Sequence, residues 1–402
     1  MPIRAEAADL QTERPLHLLY VRRVRVLILG AGFGGLELAT TLDAALGADV
    51  DLTLVDRAEG FVFGFSKLDV MFGRATADHV VHRYADLAPT GVRFVQATVR
   101  AIDPVAKRAE TDAGVLECDV LVVALGADLH PEATPGLVEH GHEFYTVPGA
   151  FALREVLADF PGGHVVVAVT STPFKCPPAP SETALLVHDL LRSRGLLERS
   201  SVSLAMPLGA PIPPSPSASA ALLEAFTERG IAWYPGALVR SLDGDRGVAV
   251  LADGSDLPYD LFLGVPVHRA PDVVVESGLT EDGWVPVDPL TLGTRFEDVY
   301  ALGDVTSVGT PKAGVFAEGQ AAVVAAQLVA RARGESSATT YDGRGICYVE
   351  FGRGEVGKVD VTFRSGQAPT GDLEGPTRAL AADKTAFGSE RIRRWFGREW
   401  AS

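Results

Sequence analysis

Short apolar runs alternate with longer amphipathic segments along most of this 402-residue chain. The first run, Val24–Leu29, is apolar apart from Arg25 and has the length of a strand buried in a parallel sheet. A glycine-rich turn follows it, then a segment at 36–46 with helical periodicity, then a second strand at 51–56. A strand, a helix and a strand in this order predict a βαβ unit, and therefore an α/β fold with a parallel sheet and helices on its faces.

The same alternation continues to the C-terminal end. Further strands are predicted at 120–125, 164–169, 201–205, 231–234, 298–302, 346–351 and 356–363, and helices at 182–194, 218–229 and 317–331. Three short runs predict an antiparallel insertion before the strand at 120–125, namely 92–99, 108–112 and 115–118.

This order of elements predicts the domain organisation. We expect two Rossmann-like dinucleotide-binding domains and a C-terminal α+β region that ends in an amphipathic helix. The first domain is discontinuous and comprises 24–150 and 284–335, the second comprises 151–283, and the C-terminal region comprises 336–402. Residues 1–23 are mixed in polarity and resemble neither an ordered element nor a secretory signal, so a loose arm is expected there.

The turn after the first strand has the pattern G-x-G-x-x-G, formed by Gly30, Gly32 and Gly35. The first glycine allows a tight turn, the second lets the backbone approach a pyrophosphate, and the third lets the helix pack closely on the strand. The helix N-terminus then offers free N–H groups to the phosphates. Asp56 ends the second strand, 21 residues after Gly35, where a carboxylate accepts hydrogen bonds from a ribose. These residues predict a bound dinucleotide.

Two later strands also end in glycine, and they indicate which dinucleotide binds. The strand at 120–125 runs into Gly126, and the strand at 298–302 runs into Gly303 and Asp304. Together with the first turn they resemble the motifs of glutathione-reductase-like flavoproteins. The resemblance implies FAD, with Asp304 on the ribityl chain; because no cysteine precedes Cys118, we expect the FAD to be non-covalent. The predicted cofactor-binding residues are Gly30, Gly32, Phe33, Gly34, Gly35, Asp56, Arg57, Lys67, Ala124, Gly126, Gly303, Asp304, Lys312, Gly314 and Val315.

The second Rossmann-like domain lacks the corresponding glycine turn. No glycine occurs between Gly163 and Gly195, and four prolines lie in the segment 170–182 that follows the strand at 164–169. Proline has no N–H to offer a phosphate and restricts the backbone. We therefore predict that this domain binds no nicotinamide dinucleotide.

The segment 173–182 contains Cys176-Pro177-Pro178 and ends at Glu182. It resembles the Cys-Pro-Pro motif of the sulfide:quinone oxidoreductase and flavocytochrome c sulfide dehydrogenase family. Cys347 resembles the second cysteine of that family, and Pro311-Lys312-Ala313-Gly314 resembles its segment after the third FAD motif. The resemblance covers about 24–365.

The resemblance implies a chemistry. Sulfide attacks a disulfide or polysulfide bridge between Cys176 and Cys347, two electrons pass to FAD, and oxidised sulfur leaves as persulfide or polysulfide. A quinone then accepts the electrons. A helix N-terminus and Lys312 stabilise the reduced flavin, and Glu182 moves protons, although a carboxylate that caps the following helix is an alternative. No metal site is predicted.

The sequence departs from the family at one position. Many quinone-reducing members have a third cysteine before the Cys-Pro-Pro segment, whereas 127–175 contains none and has Tyr145 in that region. Cys118 does not replace it, because its place at the entry to a buried strand indicates a small core residue.

The C-terminal segment contrasts with the rest of the chain in charge. The net charge of −16 argues against a nucleic-acid partner, yet Lys384 to Ser402 carries five basic and two acidic residues. Ile392, Trp395 and Trp400 recur at helical spacing. An aromatic and basic helix suits a membrane surface, while docking on the protein's own core or on a second copy is the alternative.

These features predict a peripheral protein on the cytoplasmic face of a membrane, since no run of 18 apolar residues occurs. The leading hypothesis is sulfide oxidation with a quinone as acceptor. Three alternatives stay open: an NADH:quinone oxidoreductase of similar fold, a cytochrome-linked sulfide dehydrogenase, and a flavin–thiol redox sensor without turnover. A related sulfur nucleophile as donor and a homo-oligomeric state also stay open.

Overall fold

The computed structural model describes residues 23–400. The loose arm expected at 1–23 lies outside these residues except for Arg23. The helices are α1 (Phe33–Leu46), α2 (Ser66–Met71), α3 (Ala77–Val80), α4 (Leu137–His140), α5 (Val147–Asp159), α6 (Ala179–Ser193), α7 (Pro216–Arg229), α8 (Asp272–Glu276), α9 (Gly314–Ala332) and α10 (Leu380–Phe396).

The strands are short, as expected for a chain rich in tight turns. In chain order they are β1 (Val24–Leu29), β2 (Val50–Asp56), β3 (Gly60–Val62), β4 (Val81–Arg83), β5 (Val92–Gln96), β6 (Val99–Asp103), β7 (Arg108–Thr111), β8 (Gly114–Glu117), β9 (Val120–Val123), β10 (Asp128–His130), β11 (His142–Glu143) and β12 (His164–Val169). The later ones are β13 (Ser201–Met206), β14 (Ala232–Pro235), β15 (Val239–Asp243), β16 (Val248–Leu251), β17 (Asp256–Pro258), β18 (Leu261–Val265), β19 (Val267–Arg269), β20 (Val299–Ala301), β21 (Arg344–Gly352), β22 (Glu355–Thr362) and β23 (Thr370–Thr377).

Two five-stranded parallel sheets form the core of the molecule. The first has the order β20-β9-β1-β2-β5 and the second the order β11-β18-β12-β13-β14. β20 joins the first sheet beside β9 after the second sheet is complete, so the first sheet is built from two separate parts of the chain. The predicted α/β class with two Rossmann-like sheets is confirmed, while the exact domain boundaries stay a prediction.

The prediction for the insertion at 92–118 was partly wrong. Val92–Gln96 does not join the antiparallel sheet but pairs in parallel with β2 at the edge of the first sheet. The antiparallel sheet comprises β6, β7 and β8 only. As an edge strand β5 is only partly buried, so its polar positions made it resemble a half-exposed antiparallel strand.

The C-terminal region is an antiparallel sheet of β21, β22 and β23 followed by α10. The first two strands were predicted, but β23 was missed because it is polar and largely exposed. β21 packs against α6 of the second Rossmann-like domain, and Val349 and Phe351 lie in the same hydrophobic cluster as Leu185. The strand that carries Cys347 is thereby fixed to the helix that follows Cys176.

The aromatic face of α10 is buried against the first domain. Trp395 is fully buried, with edge-to-face contacts to Phe33 and Phe61, and Trp400 is 7% exposed. The prediction that this face meets a membrane was therefore wrong, and the alternative of docking on the protein's own core was right. The helical spacing of aromatic residues is the same in both cases, because either partner only requires one apolar face.

The arginines of this segment are also bound within the chain. Arg391 pairs with Glu318, Arg394 with Glu37, and Arg398 with Asp86 at 2.5 Å. Within residues 23–400, no helix is long and apolar enough to cross a membrane.

Candidate active site

A cavity of about 720 Å³ lies where the first sheet, the loop after β12 and the C-terminal sheet meet. It opens at the carboxyl ends of β1, β2 and β9, the position at which parallel α/β sheets bind ligands. All the predicted cofactor-binding and catalytic residues line it except Gly35. The fold therefore brings together residues that are up to 317 positions apart, from Gly30 to Cys347.

The glycine turn shows why each glycine is required. Gly30 has a φ of +105°, and a Cβ added there would lie 2.3 Å from the carbonyl oxygen of Ala124. A Cβ on Gly35 would lie 1.9 Å from the carbonyl oxygen of Gly30, so the close packing of α1 on the turn requires a glycine at this position. Gly32 differs, since a Cβ there would meet no described atom within 4 Å and would enter the cavity. This is the geometry for close approach of a pyrophosphate.

Asp56 holds this turn in place. Its Oδ2 accepts a hydrogen bond from the backbone N–H of Ala31 at 2.8 Å, and its Oδ1 accepts one from Ala58 at 2.9 Å. Gly32 caps α1 without a side-chain hydrogen bond, so the first N–H groups of the helix remain available to an anion. The adjacent Arg57 lies at the rim, 3.4 Å from Asp128.

The far end of the cavity contains Gly303 and Asp304 near the start of α9. Burial raises the pKa of Asp304, and Lys175 lies 3.9 Å from its Oδ2. The ammonium group of Lys312 donates to the carbonyl oxygen of Asp304 at 2.5 Å and lies 3.2 Å from the centre of the Trp284 ring. Lys312 therefore holds the loop that leads to α9, and burial lowers its pKa to about 8.

These observations fit FAD. The open position at Gly32 leaves room for a pyrophosphate, the helix N-terminus favours its charge, and Asp304 lines the same cavity with a carboxylate that could accept hydrogen bonds from hydroxyl groups. The start of α9 at Gly314 also lines the cavity, and Ala313 caps it without a side-chain hydrogen bond. A second helix dipole is thus available to a ring that gains negative charge on reduction.

The loop after β12 takes a different course from a nucleotide-binding turn. The backbone N–H of Cys176 donates to the carbonyl oxygen of Lys312 at 2.7 Å, and that of Lys175 donates to Nε2 of His268 at 3.2 Å. Nζ of Lys175 donates to the carbonyl oxygen of Ala127 at 2.7 Å. These bonds direct the loop over the cavity of the first domain, so its cysteine is delivered to the FAD site.

Cys176 and Cys347 both line this cavity. Neither forms a disulfide in this structure. Cys176 has a φ of +46°, which is unusual for a residue with a side chain, and its thiol is exposed to the cavity although protein surrounds it on the other sides. Burial raises the pKa of both thiols, that of Cys347 to about 12, and each thiol feels the nearby carboxylate of Glu182. The prediction that Cys118 is a core residue is confirmed, since it is 5% exposed.

Glu182 is 4% exposed and lies in the first turn of α6. Its Oε1 accepts a hydrogen bond from the backbone N–H of Glu350 at 2.9 Å, so the alternative of a helix cap was wrong. Lys384 lies 3.8 Å away but binds Glu350 directly, as does Arg74 at 3.0 Å. Burial therefore dominates at Glu182 and raises its pKa to about 7, whereas the two cations keep Glu350 charged.

Three residues of the cavity region were not predicted. Lys175 precedes the predicted cysteine, and Lys384 and Glu350 come from the C-terminal region. In the sequence, the signal for Lys384 is the basic charge of the C-terminal segment, and that charge also suits a membrane surface. Tyr145 was noted in place of a third cysteine, and its hydroxyl lies 3.4 Å from the carbonyl oxygen of Cys176.

Comparisons with known proteins identify the family of the chain. The family model described as pyridine nucleotide-disulphide oxidoreductase matches residues 24–327. The mitochondrial sulfide:quinone oxidoreductase of Mus musculus is 25% identical over 346 residues, which cover 82% of this chain and 76% of that protein. A type II NADH:quinone oxidoreductase of Staphylococcus aureus is 32% identical, but only over 34% of this chain and 35% of that protein.

The solved structures give the same result for the fold. The sulfide:quinone oxidoreductase of Aquifex aeolicus superimposes with a TM-score of 0.80 at 20% sequence identity and covers 92% of this chain and 91% of that one. The predicted resemblance to sulfide:quinone oxidoreductases and the prediction of FAD as cofactor are thus confirmed. Because the family model matches most of the chain, from β1 into α9, the chain belongs to the pyridine nucleotide-disulphide oxidoreductase family.

Proposed function

We propose that this protein oxidises sulfide through Cys176 and Cys347 and passes the electrons by way of FAD to a quinone. The observation that carries the proposal is that these two cysteines, from distant parts of the chain, line the same cavity as the glycine turn at Gly32. The similarity to sulfide:quinone oxidoreductases over four fifths of the chain supports the same reaction.

The sulfur step starts from a disulfide bridge between the two cysteines. A hydrosulfide anion attacks one sulfur, so one S–S bond forms, the bridge breaks, and the displaced sulfur becomes a thiolate. Loss of two electrons from the thiolate and the persulfide joins the cysteines through the added sulfur and releases one proton; FAD, which the glycine turn and Asp304 would hold, would supply the two-electron acceptor. A further sulfur nucleophile then removes the added sulfur as persulfide or polysulfide, and the disulfide bridge between the two cysteines re-forms.

Glu182 is suited to accept the released proton. Its carboxylate is buried beside both thiols, and its raised pKa of about 7 lets it exchange a proton near neutral pH. It also connects through Lys384 to Glu350 and Arg74, which are progressively more exposed. Glu182 is thereby linked through a network of charged side chains to the surface of the protein.

The quinone is proposed to bind at the aromatic part of the cavity. Ile346, Tyr348 and Phe387 line it there, beside Phe65. A flat apolar ring is favoured by such a lining, because aromatic side chains contribute large contact areas. Since quinones dissolve in lipid, we infer that the protein works at a membrane surface; the cytoplasmic face stays a prediction, and the buried face of α10 does not provide the contact.

Reduction by NADH is the second candidate, in view of the similarity to NADH:quinone oxidoreductases. The loop at 170–178 argues against it. Its prolines remove N–H donors, and its backbone is bonded to Lys312 and His268 rather than free to surround a pyrophosphate.

The test uses the purified FAD-loaded protein under anaerobic conditions. We expect sulfide to bleach the flavin absorbance within seconds and NADH to leave it unchanged over the same time. Adding a water-soluble quinone should then restore the oxidised spectrum and support steady turnover. Bleaching by NADH alone would favour the second candidate, and bleaching by sulfide without turnover would favour a redox sensor.

Replacement of Glu182 by glutamine should change the pH dependence of flavin reduction. In the parent protein the carboxylate accepts a proton only when ionised, so the rate at saturating sulfide should rise as the pH passes through about 7. In Glu182→Gln this component should disappear, and the rate above pH 7 should fall by about a hundredfold. Stopped-flow absorbance on both sides of neutrality measures it. An unchanged profile would exclude Glu182 as the proton acceptor.

A further inference from the structure

Lys67 places an ammonium group in the cavity beside the cysteine pair. Its Nζ donates a hydrogen bond to the carbonyl oxygen of Tyr145 and lies 5.8 Å from the centre of the Tyr145 ring. The hydroxyl of Tyr145 in turn contacts the carbonyl oxygen of Cys176. Tyr145 therefore connects Lys67 on α2 to the loop that carries Cys176.

Lys67 has no anionic partner among the described residues: within 23–400, no carboxylate lies within ion-pair distance of its Nζ. The carboxylate of Glu143 favours the charged form of Lys67 from a longer distance. It already accepts hydrogen bonds from the backbone N–H groups of Tyr145 and Thr146. An ammonium group that is largely surrounded by protein and has no anion beside it is costly, so an anion that enters the cavity gains by binding it.

The other cations of the cavity are already engaged. Lys175 lies 3.9 Å from the carboxylate of Asp304, and Arg57 lies 3.4 Å from that of Asp128. Lys312 is bound to two backbone carbonyl oxygens. Lys67 alone among the cations that line the described cavity is held by a single neutral acceptor.

Titratable groups from three elements act on Cys176. Lys67 approaches from α2, Glu182 from α6, and the thiol of Cys347 from β21. Glu182 and Cys347 oppose negative charge on the Cys176 sulfur, whereas Lys67 favours it. The positive φ of Cys176 and the hydrogen bond from its N–H to Lys312 keep its thiol directed into the cavity.

We propose that Lys67 forms an anion subsite for the sulfur substrate: its ammonium group binds the incoming hydrosulfide anion and stabilises negative charge on the Cys176 sulfur. The inference rests on the proposed sulfide oxidation and assigns Lys67 to the sulfur chemistry instead of to cofactor binding. One ammonium group beside a tyrosine ring suits a small, singly charged anion. The subsite therefore favours hydrosulfide over thiols that carry carboxylates, for which a second unpaired cation would be needed.

The test compares Lys67→Met with Lys67→Arg, which keeps the charge, and with Lys358→Met, which removes a lysine from the exposed side of β22. In FAD-loaded protein with Cys347→Ser, alkylation of Cys176 by iodoacetamide is followed by mass spectrometry near neutral pH, below the pKa of about 8 that burial gives Lys67. Lys67→Met should slow alkylation by about tenfold or more, because the thiolate is the reactive form and an adjacent opposite charge shifts the pKa of a thiol by about 1–3 units. The other two variants should be alkylated at the rate of the parent.

A second measurement uses the intact cysteine pair. The second-order rate constant for flavin reduction by sulfide should fall by about tenfold or more in Lys67→Met and stay near the parent value in Lys358→Met. An unchanged rate of Cys176 alkylation near neutral pH in Lys67→Met would overturn the proposal, and so would a changed flavin midpoint potential with unchanged alkylation, since Lys67 would then serve the cofactor. If sulfide fails to reduce the parent protein, the proposed function fails, while the alkylation experiment still tests Lys67.

Discussion

Replacing either Cys176 or Cys347 by serine is expected to slow the reduction of the bound flavin by sulfide by about a thousandfold or more. A serine oxygen cannot form the sulfur–sulfur bonds on which the proposed reaction depends, and the surrounding protein raises the pKa of the remaining thiol. Anaerobic stopped-flow absorbance at the flavin band measures the rate. The two variants should lose activity to a similar extent, because the cysteines act as one unit.

Cys118→Ser provides the matched control. Cys118 is buried in the core of the first domain, outside the cavity, and its Sγ lies 3.1 Å from the carbonyl oxygen of Lys107, which a hydroxyl can also reach. We expect its rate with sulfide to match the parent within about twofold. The paired-cysteine mechanism is wrong if Cys176→Ser or Cys347→Ser is reduced as fast as Cys118→Ser.

Gly32→Ala should weaken the binding of FAD, whereas Gly35→Ala should destabilise the fold. At Gly32 the new methyl group meets no described atom and enters the space for the pyrophosphate, so the chain should fold but bind FAD about ten- to a hundredfold more weakly. At Gly35 the methyl group would lie 1.9 Å from the carbonyl oxygen of Gly30, so the sheet and α1 must separate. We expect a loss of about 1–3 kcal/mol or more in the free energy of unfolding.

Two measurements separate these effects. Titration of the apoprotein with FAD gives the affinity, and denaturant unfolding of the apoprotein gives the stability. Gly209, an exposed-loop glycine at which a Cβ would also meet no described atom, offers a control, and Gly209→Ala should change neither quantity. Full FAD affinity in Gly32→Ala would mean that the pyrophosphate does not pass over Gly32.

Much of the FAD site could be predicted because its residues are local in the sequence. Gly30, Gly32 and Gly35 occupy one turn, and their roles follow from the lack of a side chain. Asp56 follows at a spacing that the length of one helix and one strand imposes. The prediction that the second domain binds no nicotinamide dinucleotide is also local, because an absence of glycine and an excess of proline are properties of the sequence itself.

The errors occurred where one pattern fits two tertiary environments. β5 resembled an antiparallel strand, but an edge strand of a parallel sheet is also only partly buried. The aromatic spacing of α10 suited a membrane, but Trp395 meets Phe33 and Phe61 instead. The periodicity of a sequence indicates that a helix or strand has an apolar face, but only the packed structure shows which residues cover that face.

The sequence by itself determined that a dinucleotide binds at the turn Gly30–Gly35, and it predicted that the second Rossmann-like domain binds none. It also marked Cys176 and Cys347 as candidates through a family resemblance. Only the tertiary structure decided that these cysteines share one cavity with Glu182 and Lys67, and that no carboxylate of residues 23–400 lies within ion-pair distance of Lys67. The reason is physical: a glycine turn acts through its own backbone, whereas the burial and charge around a thiol come from elements far away in the chain.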